Sequence, residues 1–470
     1  MVKDFSKQFR RLTVVLLCLA AVVQAQEVRR AIPVNPAVAE TPVPMLVPST
    51  PIPVATPLPI GTPAPATPTA AGTAPAAPPP LATPPLSVAP NEEPAAVAPP
   101  PEAPLISDPI NDTARFLAGM PVAQNSPLLP LEQRASWQQH ARYFDEAWAK
   151  MAARQFVGIR NWEVNYLPDA TQPLPVVFYL FSGPDFLYAH QFFPNADTYV
   201  LAGTEPIGPL PDVSRFDGPQ LDSVLQNLEK SLNSVLSFSF FITKDMKTDL
   251  QQEQLKGTLP IFYVFLARAG KTIQEVSFVT LDKSGEPHPT TPNEKGKGLT
   301  PGVRITFNNA PGAPTQTLYY FTTDLSNDGI RSAPGFLKFC KARGMGASLL
   351  KSASYLMFEN GFSTARDFLL TQSKAIVQDD SGIPISAFDP AKWLLRFFGN
   401  YEGPIDLFKQ YYQPALQGLY QQSHPAPIHF GIGYRWSPRR STLIVATQRH
   451  ATLSPLRTET SSGSAVTPSQ

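Results

Sequence analysis

Beyond about residue 105 the apolar residues recur in two rhythms, one of a helix and one of a strand. From about Leu131 to Phe156, Trp137, Ala141, Phe144, Trp148 and Met151 return at steps of 4, 3, 4 and 3, which draws one apolar stripe down a helix. A second helix is predicted after Asp217-Gly218-Pro219. Asp217 is its N-cap candidate, proline falls in its first turn, and Leu221, Val224, Leu225, Leu228, Leu232 and Val235 share a face. Shorter helices are read at 334–343, 347–359 and 363–372, and another from Pro404 towards Tyr420, interrupted by Pro414 and Gly418. Val176 to Phe181 and Ile261 to Ala267 are unbroken apolar runs, the pattern of central strands covered on both faces. Trp162 to Tyr166 and Val303 to Phe307 alternate as half-exposed strands do, and Thr198–Gly203, Val276–Leu281 and Thr317–Thr322 complete the set.

Strand, helix and strand alternate upstream, whereas four strands follow one another between Ile261 and Thr322. The predicted fold is therefore α+β, a mixed sheet with an antiparallel meander and helices on its faces. It forms one domain over residues 105–455, with a flexible tail at 456–470. The polar 283–300 segment reads as the tip of a hairpin, with a binding loop as the alternative.

Composition divides the chain sharply. Of its 54 prolines, 24 lie between residues 26 and 104, a stretch without Phe, Tyr or Trp. Such a segment has no aromatic surface to bury and favours polyproline II, so it is expected to be a disordered, extended linker of at most about 240 Å. Ahead of it, Lys3, Lys7, Arg10 and Arg11 precede an apolar run from Leu12 to Val23 and a small residue, Ala25. This is the layout of a cleaved secretory signal over residues 1–25. The expected location is periplasmic or extracellular. An uncleaved inner-membrane anchor is the alternative, in which the proline-rich arm would act as a tether. Cleavage would take the formal charge from +1 to −2 and leave Cys340 as the only thiol, excluding an internal disulfide.

Charge and repeats exclude several classes. Thirty-eight basic residues face 37 acidic ones, which argues against nucleic acid as a partner, and no series of long apolar runs marks a multi-span membrane protein. No motif calls for a cofactor. The six histidines show no metal-ligand spacing.

Five residues are the candidates for chemistry. In Phe181-Ser182-Gly183-Pro184-Asp185-Phe186-Leu187-Tyr188-Ala189-His190 a buried strand passes directly into a helix, a turn that exposes backbone N–H groups beside Asp185 and His190. The structural reading makes Ser182 to Asp185 a capping box. A five-residue separation, about 140° around a helix, keeps Asp185 and His190 from facing one another as a dyad, and His190 falls on the core face of Phe186, Leu187 and Phe193. Asp379 and Asp380, in Ile376-Val377-Gln378-Asp379-Asp380-Ser381-Gly382-Ile383-Pro384, could share a proton or bind a metal, although Asp-Asp-Ser-Gly is also ordinary turn chemistry. Glu205 follows the Thr198–Gly203 strand and is the fifth. The Arg435, Arg439 and Arg440 triplet around Trp436 offers a phosphate or acidic-glycan contact, or a solvated strand end.

The Ser182-Gly183-Pro184-Asp185-Phe186 segment, the Tyr199 to Pro206 strand and the Val377 to Pro384 turn together resemble an uncharacterised family of exported bacterial proteins. The resemblance covers most of residues 130–436. It implies export and a single folded body, and transfers no catalytic residue. The sequence thus points to an exported protein that binds an envelope or extracellular protein or polymer, without naming the partner or an oligomeric state. The competing expectation is an exported hydrolase, with Asp185, Glu205, Asp379 or Asp380 as acid and base on a glycosidic or phosphoester bond.

Overall fold

The computed structural model describes residues 107–167, 174–238, 240, 255–292, 296–310 and 312–449. The predicted signal, proline-rich arm and C-terminal tail lie outside them. Ten strands form one mixed sheet among the described residues: β1 (Val177–Tyr179), β2 (Thr198–Gly203), β3 (Thr272–Leu281), β4 (Pro287–Pro289), β5 (Thr300–Asn308), β6 (Gln316–Thr322), β7 (Gly346–Leu350), β8 (Ser373–Gln378), β9 (Trp393–Gly399) and β10 (Thr442–Gln448). Their spatial order is β4-β3-β5-β6-β2-β1-β7-β8-β10-β9.

The centre of the sheet, β6-β2-β1-β7-β8, is parallel, with Leu201 opposite Tyr320 and Leu349 opposite Val377. The two flanks are antiparallel. Counted along the chain, the five parallel strands lie in the order third, second, first, fourth, fifth. The winding therefore reverses between β1 and β7. At such a reversal the loops leaving the carboxyl ends of the two strands diverge to opposite faces and open a crevice.

Period-two alternation gives each central strand two buried faces. Val177, Tyr179, Tyr199, Leu201, Leu318 and Tyr320 point into one core. There they meet α1 (Pro109–Leu117), α2 (Ala135–Met151), α3 (Val157–Tyr166), α4 (Phe186–Phe192), α5 (Gly218–Phe238) and α6 (Leu259–Arg268). Phe178, Val200, Ala202 and Phe321 point into the other core, with α8 (Gly335–Ala342), α9 (Ser363–Gln372) and α10 (Pro414–Ser423). Short α7 (Asn327–Ser332) follows β6. The α+β reading holds, with helices on both faces and an antiparallel meander through β3, β5 and β6. The 283–292 end of the polar segment includes β4, which pairs back onto β3.

Four local expectations are corrected. Ile261 to Ala267 is not a central strand but the middle of α6, whose residues Leu259 to Ala267 are all buried. A helix enclosed on every side loses its polar stripe and reads like a covered strand; Pro260 in its first turn was the distinguishing sign. Trp162 to Tyr166 belongs to α3, which continues α2 through a π-helical turn at Ala152–Phe156. The 347–359 segment is β7 followed by a 3₁₀ turn at Leu356–Phe358, not one helix. The cap of α4 is Asp185, which accepts the Tyr188 N–H, and not Ser182.

Candidate functional site

The carboxyl ends of β1 and β7, the two strands at the reversal, carry unusual backbone. After β1, Phe181 has φ +63° and Gly183 φ +56°; after β7, Ser352, Ser354 and Tyr355 have φ of +53°, +55° and +55°. Left-handed conformations of side-chain-bearing residues cost on the order of 1–2 kcal/mol each, so four of them in one place must be held by their surroundings. The hydrogen bonds that hold them are specific. Ser182 N–H donates to the Ala202 carbonyl at 3.1 Å, tying the β1 loop to β2. Ser352 N–H donates to Oδ2 of Asp379 at 2.8 Å, and Ala353 N–H to Ser381 Oγ at 2.8 Å. The Tyr434 hydroxyl donates to the Ser352 carbonyl at 2.9 Å, and the Tyr355 hydroxyl to Oδ2 of Asp380 at 2.6 Å.

A cavity of about 340 Å³ opens between these loops. That volume falls in the range of small-molecule sites. Its walls come from the carboxyl ends of four adjacent parallel strands: Phe181 to Asp185 after β1, Gly203 to Glu205 after β2, Thr323 to Leu325 after β6, and Lys351 to Ser354 after β7.

Lys351 and Asp185 form the cavity's ion pair, with Nζ 2.9 Å from Oδ2 and side chains only 1 % and 2 % exposed. The Tyr179 hydroxyl also donates to Oδ2 at 2.8 Å, and the Lys351 ammonium stands 4.0 Å from the centre of the Tyr188 ring. Burial pushes the Asp185 pKa up, and the Lys351 charge opposes that rise. One carboxylate therefore joins β1, α4 and the end of β7. Glu205 reaches the same cavity from β2. Thr322 Oγ1 donates to its backbone carbonyl at 2.8 Å, and the Tyr320 hydroxyl lies 3.3 Å from its Oε2.

The other sequence candidates stand elsewhere. Asp379 and Asp380 sit behind the β7 loop rather than in the cavity lining, and burial raises both pKa values, that of Asp380 to about 7 with Asp379 as a second cause. Asp379 also accepts the Ser381 N–H at 2.9 Å, closing the turn on itself. His190 is in the core beside Phe186 and Tyr199, and neither ring nitrogen has a hydrogen-bond partner among the described residues. Burial holds its pKa down at about 3, so it is neutral. Replacing an unsatisfied buried polar ring by an apolar side chain removes a cost of about 1–3 kcal/mol and opens some space. His190→Leu is therefore expected to leave the urea midpoint unchanged or higher. A loss of more than about 2 kcal/mol in the unfolding free energy would show that the imidazole has partners.

The arginine triplet is largely engaged within the protein: Arg435 donates to the Gly403 and Pro404 carbonyls, and Arg440 pairs with Glu402 at 2.7 Å. Among the described residues no group of three or more His, Cys, Asp or Glu side chains is placed to hold a metal ion, and no helix is long and apolar enough to cross a membrane.

No family model, curated protein or solved structure matches this chain.

Sequence reasoning found Asp185 and Glu205 but missed Lys351, Tyr179 and the strained serines. The signal for Lys351 was a lysine directly after the apolar Ala347-Ser348-Leu349-Leu350 run, which the helical reading of 347–359 concealed.

Proposed function

We propose that the folded body is a binding protein for a small molecule, held in the cavity at the carboxyl edge of the parallel strands. One observation carries this reading: four strand ends, a buried ion pair and three strained residues, Phe181, Ser352 and Ser354, converge on one cavity at the point where the winding of the sheet reverses. Strain and desolvated charge both oppose folding, and proteins retain them where a ligand uses the resulting shape. Export follows from the N-terminal pattern and remains part of the proposal, with the ligand met in the periplasm or outside the cell.

A second reading, an exported hydrolase, draws on the presence of Asp185 and Glu205 in the same cavity wall. Binding is favoured because Asp185 already accepts from Tyr179, Lys351 and the Tyr188 N–H, as a structural anchor does.

Gly203→Ala tests the proposal. A methyl group there would meet the Glu205 carboxylate, stand 2.8 Å from Gly183 Cα and 2.9 Å from the Tyr320 hydroxyl, and so distort the cavity wall. In ligand-observed NMR with a fragment library on the full chain, hits should compete for one site and weaken at least about tenfold in Gly203→Ala. Unfolding should stay cooperative. Hits that bind the variant equally well, or no hits at all, would overturn the proposal.

A further inference from the structure

Glu205 is 3 % exposed and yet has no cationic partner within ion-pair distance among the described residues. Its only side-chain hydrogen bond there is the long one from Tyr320, to Oε2; Oε1 accepts none. A carboxylate removed from water ordinarily has a counter-charge or several donors, because the desolvation penalty is several kcal/mol. The other acid of the cavity wall, Asp324, is exposed and also lacks a cationic partner among the described residues. Lys351 pairs with Asp185 and stands within ion-pair distance of neither Glu205 nor Asp324. With that pair cancelled, the described residues of the wall keep a formal charge of −2, from Glu205 and Asp324.

The rest of the wall includes aromatic rings. Phe181 and Phe362 meet edge to face at 6.0 Å, and Phe240, just past the end of α5 in the chain, joins them in the lining. Ring faces attract cations and provide apolar area for the body of a ligand. An anion, by contrast, would meet two carboxylates, and among the described residues of the wall the one cation, Lys351, already pairs with Asp185.

Resting on the reading of the cavity as a ligand site, we propose that its ligand is an organic cation. An ammonium group joined to an apolar body would pair with Glu205, with the body against Phe181 and Phe362. Binding then gives the Glu205 carboxylate the cationic partner that the described residues do not supply. Asp324 at the rim adds a longer-range attraction that salt screens.

Three probes of nearly one shape separate the alternatives: benzylamine, benzyl alcohol and benzoate, each titrated by calorimetry or NMR into the full chain. Benzylamine, protonated at pH 7, is expected to bind at least about tenfold more tightly than benzyl alcohol, with an affinity that falls as salt rises, and benzoate is expected not to bind. Glu205→Gln should weaken benzylamine by about tenfold and change benzyl alcohol by less than about twofold. Asp324→Asn, an exposed change that keeps the acceptor for the Ser326 N–H, should weaken benzylamine by about two- to threefold at low salt. This second variant guards against misfolding of the first. Equal binding of amine and alcohol, preference for benzoate, or equal loss of both ligands in Glu205→Gln would overturn the cation assignment while leaving the cavity as a site. Binding of no probe, together with no fragment hits, would overturn both.

Discussion

Lys351→Met is expected to destabilise the folded body by about 3–5 kcal/mol. The reason is asymmetric. The Lys351–Asp185 pair need not stabilise the fold relative to an apolar pair of the same shape, but removing the ammonium alone strands a carboxylate that is 2 % exposed. Asp185 cannot escape to solvent, because it caps α4 through the Tyr188 N–H and accepts from Tyr179. Its raised pKa means that part of the loss is relieved by protonation, so the variant should recover stability as pH falls. The double variant Asp185→Asn with Lys351→Met keeps an acceptor for the cap and removes both charges. It should cost less than the sum of the single changes by about 2 kcal/mol or more. Urea denaturation of the four proteins closes this cycle. A cost below about 1 kcal/mol for Lys351→Met would show that the pair is solvated and has no part in fixing the cavity.

The second large effect concerns pH. Burial raises the pKa of Asp380 to about 7, and the neighbouring Asp379 adds to the rise. An unfolded aspartate titrates near 3.9, so between these values the folded state binds more protons than the unfolded state. Stability from this group is fully present below about pH 4 and is lost as pH rises to about 7. His190 acts in the opposite sense from about pH 3 to 6.5, since its folded pKa is lowered and its neutral form is the one buried. A comparison of two proteins therefore isolates the aspartate. Asp380→Asn, whose side-chain oxygen still accepts the Tyr355 hydroxyl, should gain on the wild type as pH rises. The gain should be on the order of 2–4 kcal/mol at pH 8 relative to pH 4. Denaturant midpoints at the two pH values read it directly. A difference that stays constant with pH would mean that Asp380 titrates normally.

Both effects arise in the same loops, and the sequence disclosed them unevenly. The stripe of Leu221, Val224, Leu225, Leu228 and Leu232 is local information, and α5 follows from it. Asp185 and Glu205 were visible as acids a few residues past apolar runs, the place where strand ends meet solvent or a crevice. What placed them in one cavity was the pairing of β1 with β2 and β7, between residues up to about 170 apart in the chain, which no local pattern encodes. The short β7 is buried throughout, so it showed no alternation, and reading it as helix hid Lys351 at its end. The same absence of polar positions turned α6 into an expected strand. His190 was the opposite case: the helical face it shares with Phe186, Leu187 and Phe193 already placed it in the core, beside Phe186.

The cavity between the ends of β1, β2, β6 and β7 is proposed as the place where this protein meets its ligand, and every functional reading above depends on it. Photoaffinity labelling of the full chain with diazirine-bearing fragments, followed by peptide mapping, tests it most directly. The expected result is saturable labelling of peptides that contain 181–185, 203–205, 323–325 or 351–354, lost when unlabelled fragment competes. Saturable labelling confined to another face of the sheet, or labelling that no fragment competes, would contradict it.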